Sequence, residues 1–295
     1  MNVLLLIITF TALGGVLSVL AASVFLLLPE SKQHKVLPHG ISFAIGALLT
    51  GAFCGLIPHA FEAVPPQAID HLSATILAGI LLFFVLEKLL VWRHCHSHAC
   101  AAHGEDAHHD HQHHDHAHHQ QAVSPSNRRA TGIFIILGDS IHNFVDGVLI
   151  AAAFLTDVQL GIVTSLAVAA HEIPQEVGDF AILLHSGYSR LRALLYNILA
   201  SLGTVIGGVL AYYSLGDFHQ VLPYFLALAA SSFIYIAVAD LIPSLHEKTD
   251  IKTSLHQIAF ILAGVVLILL MQGIAHQYEP EFIELVPVSS EPGAI

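Results

Sequence analysis

His171-Glu172-Ile173-Pro174-Gln175-Glu176-Val177-Gly178-Asp179 lies inside a run that is otherwise apolar, from about Val158 to Leu184. That run is long enough to cross a bilayer, since a spanning helix needs about 20 residues. An ionisable group at membrane depth costs about 2.5–3.5 kcal/mol on insertion scales. Two glutamates, an aspartate, a histidine and an amide therefore persist there only if they face one another, water or a cation. Helical spacing puts Glu172, Glu176 and Asp179 on one face and pairs His171 with Gln175 beside it. Pro174 has no backbone N–H and clashes with the carbonyl one turn earlier, so a kink is expected at the depth of the acids. Broken helices near the midplane are a frequent scaffold for ion sites in transporters.

The whole chain fits an all-α integral membrane protein. Its 295 residues are 55% hydrophobic and only 11% charged, against about 25% charged in soluble domains. The first apolar run, Val3–Leu28, has no basic segment before it and is too long for a signal peptide, so it reads as a retained span. Eight transmembrane helices are expected: Val3–Leu28, Gly40–Phe61, Leu72–Trp92, Thr131–Leu155, Val158–His185, Leu191–Leu215, Leu222–Ile242 and Leu255–Ala275. With eight spans, all ten Lys and Arg residues fall on one side: Lys32, Lys35, Lys88, Arg93, Arg128, Arg129, Arg190, Arg192, Lys248 and Lys252. The positive-inside rule makes that side cytosolic and both termini extracytoplasmic. The net charge of −12 counts histidine as neutral and says little about partners. Cys54, Cys95 and Cys100 suggest no disulfide framework.

A repeat is also legible. Leu56-Ile57-Pro58 with Glu62 matches Leu241-Ile242-Pro243 with Glu247, and Ile76-Leu77-Ala78-Gly79 matches Ile261-Leu262-Ala263-Gly264. Positions 56 and 241 differ by 185, as do 76 and 261. The offset carries spans 1–3 onto spans 6–8 in opposite orientation, giving a 3+2+3 arrangement with inverted repeats of the kind that mark secondary carriers. Spans 4 and 5, with the polar cluster, lie between the units. The expected divisions are residues 1–93 (helices 1–3), 94–130 (a His-rich cytosolic loop), 131–185 (helices 4–5 with a metal site), 186–276 (helices 6–8) and 277–295 (an extracytoplasmic tail).

The loop holds twelve of the chain's 23 histidines, among them His94, His96, His98, His108, His109, His111, His113, His114, His116, His118 and His119. It is nearly devoid of large apolar residues and cannot build a core. Imidazole is the commonest metal ligand near neutral pH. Loose binding of zinc or similar ions is expected there; a solvated linker of biased composition is the plainer alternative.

Span 4 supplies the partner motif, Asp139-Ser140-Ile141-His142-Asn143-Phe144-Val145-Asp146-Gly147. His142, Asn143, Asp146 and Asp139 share one helical face. A polar helix–helix contact is the ordinary reading of such residues in a membrane. Two adjacent spans that each present His and carboxylates at matching depth point instead to a metal site. Imidazoles, carboxylates and an amide suit Zn²⁺, Fe²⁺ or Mn²⁺ better than Cu⁺, which prefers thiolates. Asp139, Asp179 and Asp240 fall toward the cytosolic ends of their spans and suggest a ladder of carboxylates there, which is an exit if transport is inward. His59 and Glu62, at the outer end of span 2, suggest an entrance. For His59, Glu62 and Asp240 the competing reading is a satisfied helix end.

HNFVDG on span 4 and HEIPQEVGDFAILLHSG on span 5, with YIAVADLIP on span 7, resemble the ZIP family of divalent-metal transporters, closest to the branch with an HExPHExGD signature. The resemblance covers nearly the whole chain. It implies uptake of divalent metal, chiefly Zn²⁺, into the cytosol through a site between helices 4 and 5. Fe²⁺, Mn²⁺ and Cd²⁺ are the alternative ions. By matching positions it implies a primary site of His142, Asp146, His171, Gln175 and Glu176. It implies a second site of Asn143, Asp146, Glu172 and Glu176, with Asp146 and Glu176 bridging. Gln175 stands where that branch has His, and Asp146 where other branches have Glu. Near a position where some relatives add a carboxylate from span 6, this chain offers Asn197 and Ser201.

Two other classes compete. An intramembrane zinc metalloprotease needs H-E-x-x-H, but Gln175 holds the fifth position. A metal efflux carrier also fits a His-rich loop, but such carriers have fewer spans and a folded cytosolic tail. No enzymatic activity is expected. The expected partners are divalent metal ions and the lipid bilayer, with a homodimer as an assembly the architecture allows and no nucleic acid. The expected location is a plasma membrane, the inner membrane in a bacterium.

Overall fold

The computed structural model describes residues 2–95, 125–216, 218–246 and 251–283. Among these residues all regular structure is helical: α1 (Val3–Phe25), α2 (Glu30–Thr50), α3 (Ile57–Glu62), α4 (Ile69–Cys95), α5 (Pro125–Thr156), α6 (Val158–His185), α7 (Arg190–Leu215), α8 (Leu222–Tyr235), α9 (Ile242–Leu245) and α10 (Ile251–Ile283), with one short 3₁₀ turn before α4. Seven helical stretches are long and apolar enough to cross a membrane. The 28-residue α6 is not one of them, because the acids and amides that make it interesting lower its hydropathy. The protein is an all-α, multi-pass membrane protein.

Several helices run past their expected ends. α2 begins at Glu30, not Gly40, and keeps Pro38 inside it. α5 begins at Pro125, within the stretch read as loop, and α10 continues to Ile283, within the stretch read as tail. Proline at N1 is compatible with a helix start, since the N–H it lacks has no intrahelical acceptor there. Apart from His94 in α4, the loop histidines named above lie outside the described residues, as does Glu247.

The 185-residue offset reappears as geometry. α2 passes into α3 through a π-helical turn, Gly51–Leu56, and α8 passes into α9 through another, Ile236–Leu241. Positions 51 and 236 differ by 185, and each turn is followed at once by Ile-Pro. Packing follows the same relation. α2 packs on α10, and the offset maps this pair onto α8 and α4, which also pack together. At the first contact a Cβ on Gly46 would strike the Ile261 carbonyl oxygen. At the equivalent point of the second, Ser231 Oγ donates to the Ile76 carbonyl at 2.9 Å. Tyr235 on α8 also donates to Glu87 on α4.

The polar helix α6 packs against α1, α2 and α5. α5 and α7 form the closest helix pair: Cβ atoms on Gly147 and Gly207 would strike the carbonyl oxygens of Thr204 and Phe144. Small residues that let backbones approach are the usual means of helix association in membranes. By contrast α4 and α10 turn Leu77, Leu81, Leu255, Leu262 and Val266 outward, as helices facing hydrocarbon do.

Candidate metal centre

α5 and α6 form a helical hairpin with Asp157 alone between them. Asp157 is extended, with φ −158° and ψ 139°, and its Oδ1 accepts from the Leu160 N–H at 2.8 Å. This N-cap satisfies one of the four N–H groups left over at a helix start. So tight a connection makes the two helices antiparallel neighbours, and residues equally far from Asp157 meet at the same level.

His142 from α5 and His171 from α6 meet in this way, Nε2 to Nε2 at 3.4 Å. Asp146 lies one turn from His142, and Glu172 is the neighbour of His171. His142 Nε2 is 3.3 Å from Glu172 Oε1 and 3.6 Å from Asp146 Oδ2. His171 Nε2 is 3.3 Å from Asp146 Oδ2 and 3.6 Å from Glu172 Oε1. One ligand atom from each of the four residues falls within 4.8 Å of all the others. Four ligands about 2.1 Å from a tetrahedral Zn²⁺ lie about 3.4 Å from one another. The separations match that cage and exceed the 2.7–3.2 Å typical of N–H···O hydrogen bonds.

The surroundings leave these atoms open to a cation. Asp146, His171 and Glu172 are 1–2% exposed, and both carboxylates lack a hydrogen-bond partner. His171 Nδ1 lies 3.3 Å from the Ala167 carbonyl. That contact favours the tautomer with the proton on Nδ1, leaving the Nε2 lone pair facing the cluster. The His142 side chain, at 25% exposure, is the most accessible of the four. Phe233 of α8 stands edge-on to His171, with ring centroids 6.4 Å apart, and walls the site with fully buried apolar surface. Nothing in the apolar pattern of α8 marks Phe233 as a site residue.

The remaining residues from the sequence reading are placed as follows. Glu176 and Asn197 are both buried, and the Asn197 amide lies close enough to the Glu176 carboxylate to interact with it, outside ordinary hydrogen-bond geometry. Glu176 stands outside the four-residue cage. Gln175 is half-buried on the same helix. Asn143 is committed elsewhere. Its amide donates to Asp139 Oδ1 at 2.8 Å, and its Oδ1 accepts from Thr204 Oγ1 at 2.8 Å. Asp139 is buried and Asp179 half-buried. Asp240 is exposed. His59 is half-buried, with Nδ1 2.9 Å from the Gly55 carbonyl, and Glu62 is exposed.

Comparison with known proteins agrees with this geometry. The family model described as ZIP Zinc transporter matches residues 1–272. The mouse zinc transporter ZIP13 is 30% identical over 249 residues, covering 78% of this chain and 68% of its own length. The human zinc transporter ZIP4 is 31% identical over 283 residues, 80% of this chain but 43% of its own. The mouse metal cation symporter ZIP14 is 28% identical over 304 residues, 84% of this chain and 62% of its own. This chain therefore spans less than half of ZIP4 and about two thirds of the other two. A match from the first residue to the last apolar helix, joined to a buried His/Asp/Glu cage, leaves one conclusion: the chain belongs to the ZIP zinc transporter family.

Proposed function

We propose that the protein carries Zn²⁺ across the membrane into the cytosol, and that the ion rests midway in the cage of His142, Asp146, His171 and Glu172. The observation that carries this reading is the set of near-tetrahedral separations among four buried ligand atoms whose carboxylates have no other partner. Two buried carboxylates without counter-charge are costly. A divalent cation removes that cost and leaves the two imidazoles as neutral donors. Relatives named as zinc transporters, and one named as a metal cation symporter, support the same substrate class. Fe²⁺, Mn²⁺ and Cd²⁺ are the competing cargoes.

In this reading α6 is an eighth crossing, enclosed by α1, α2 and α5, and both termini are extracytoplasmic. The polypeptide then divides as the charge pattern suggests, with the His-rich segment in the cytosol and the location a plasma membrane. Glu176, Gln175 and Asn197 form an outer rank beside the cage, where a second ion or a passing ion is held. Asp139 and Asp179, with Asp240 beyond the accessible His142, form the exit. Alternating access moves the cage between the two sides.

A protease does not fit this geometry. In H-E-x-x-H the glutamate must stay free of the metal as general base, whereas Glu172 is here one of the four converging residues and the fifth position holds an amide, Gln175. The deciding experiment is ⁶⁵Zn²⁺ uptake into proteoliposomes of known protein orientation. Saturable uptake that is lost in Asp146→Ala supports the proposal. Wild-type uptake by that variant removes the cage from the path, and transport only in the outward sense reverses the direction.

A further inference from the structure

We propose that the cavity bounded by Cys54, His59, Gln159 and Gln272 is a second metal-binding site, suited to Zn²⁺ and Cd²⁺, separate from the central cage. The cavity has a volume of about 110 Å³, is partly open, and is also lined by Leu160 and Val163. Three helical segments build it: the π-helical turn with α3, the first turn of α6, and α10. Cys54 lies in the π-helical turn, which displaces it from ordinary α-helical register. Turns of this kind are often found at functional sites.

The donor set is chemically coherent. The His59 Nδ1 contact with the Gly55 carbonyl favours a proton on Nδ1 and leaves Nε2 as a lone-pair donor. Cys54 is a free, exposed thiol. On binding a metal it releases its proton to solvent and coordinates as thiolate. Gln272 leans over the bare backbone of Gly55, where a Cβ would lie 3.1 Å from its Nε2. Gly55 thus both orients His59 and makes room for the amide. A thiolate, an imidazole and amide oxygens favour Zn²⁺ and Cd²⁺ over Mn²⁺, whereas the central cage has no sulfur.

The two sites are distinct in space. Gln159 precedes His171 on α6 by about 18 Å of helix at 1.5 Å per residue, and the interval includes the buried apolar residues Val163, Ala167 and Val168. A metal held by Cys54 and His59 cannot also touch the cage.

The test uses the full chain in proteoliposomes, with Cys95→Ser and Cys100→Ser leaving Cys54 as the single thiol. Modification of Cys54 by a membrane-permeant maleimide is timed with and without Zn²⁺, Cd²⁺ or Mn²⁺. A coordinated thiolate does not attack the reagent, so Zn²⁺ and Cd²⁺ are expected to slow labelling about tenfold or more, and Mn²⁺ hardly at all. His59→Ala is expected to abolish the protection, and Gln272→Leu to weaken it. If His59→Ala does not fold, His59→Gln and Gln272→Leu carry the test. Protection must survive Asp146→Ala combined with Glu172→Ala, which separates this site from the central cage. Absence of protection, protection indifferent to both His59 and Gln272, or protection lost with the cage variants overturns the proposal.

Discussion

His142 and His171 bring their Nε2 atoms to 3.4 Å although 29 residues separate them in the chain. The cause is the hairpin. Positions 142 and 171 lie 15 and 14 residues from Asp157, the single residue between α5 and α6. At 1.5 Å per residue this places both rings about 22 Å from the turn, well inside a hydrocarbon core about 30 Å thick. The one-residue connection thus acts as a ruler, matching the depth of the imidazoles before any side chain packs.

Glu172 and Gln175 distinguish the four-residue cage from the primary site that family resemblance suggests, where Gln175 is a ligand and Glu172 belongs to the second site. Glu172→Ala removes one of the four converging atoms, and zinc uptake is expected to fall by more than the roughly 10–100-fold typical of outer-shell changes at metal sites. Gln175→Ala is expected to leave uptake near that of the wild type. Initial rates of ⁶⁵Zn²⁺ uptake at matched protein levels decide the matter. The reverse ranking of the two variants would remove Glu172 from the binding set.

Thr204 holds the amide of Asn143 through Oγ1 and is 3% exposed. Thr204→Val keeps the shape but leaves Asn143 Oδ1 buried without its donor, at a cost of about 1–3 kcal/mol. Gly207→Val is a harsher change at the same helix pair, because the new side chain meets the Phe144 carbonyl oxygen. Thermal unfolding in detergent is expected to rank wild type above Thr204→Val and Thr204→Val above Gly207→Val. Equal melting temperatures for all three would show that α7 does not brace α5.

Much of this was legible in the sequence, for reasons that can be named. The matched depth of the two histidines follows from chain length on either side of Asp157. The repeat shows in Leu-Ile-Pro at positions 56–58 and 241–243, and the structure adds that a π-helical turn precedes each copy. What was hidden depends on rotation about a helix axis. Residues 171, 172, 175 and 176 occupy neighbouring faces about 100° apart at 3.6 residues per turn. Which of them meets α5 is set by how α6 nests against α1 and α2, and no motif records that. The bond that Asn143 makes was hidden for a related reason, since its partner Thr204 lies 61 residues away on α7. Phe233 is one apolar residue in an apolar run, and only the fold sets it beside His171.

The His-rich segment between α4 and α5 is expected to be dispensable for translocation. It has almost no large apolar residue with which to fix a geometry at the site. Deleting residues 97–121 leaves both helix ends intact and is expected to preserve the maximal uptake rate. The isolated segment is expected to bind Zn²⁺ above neutral pH and release it as pH falls through about 6.5, where imidazole takes up a proton and loses its donor lone pair. Calorimetric titration of the segment at several pH values tests the second statement. Loss of transport in a deletion variant that folds and inserts normally rejects the first.

Metal selectivity is expected to rest on His171. Affinities of a given site for divalent metals rise from Mn²⁺ toward Cu²⁺ by the Irving–Williams order, so the donor atoms must add the discrimination. The cage presents two nitrogens, from His142 and His171, and two carboxylate oxygens, from Asp146 and Glu172. Zn²⁺ takes such a mixed tetrahedral set readily, whereas Mn²⁺ favours oxygen. His171→Glu leaves one nitrogen against three oxygens and adds a negative charge where the side chain is 1% exposed. The extra charge strengthens any divalent cation's attraction, so activity is expected to survive, while the lost imidazole shifts preference toward Mn²⁺. Ring orientation matters as well, because His171 Nδ1 is tethered to the Ala167 carbonyl. His171→Gln has no such ring and is expected to lose zinc affinity without gaining manganese. The measurement is competition between Zn²⁺ and Mn²⁺ for uptake by wild type, His171→Glu and His171→Gln. An active His171→Glu protein with an unchanged zinc-to-manganese ratio would show that selection is made elsewhere, and Cys54 and His59 would be the next residues to replace.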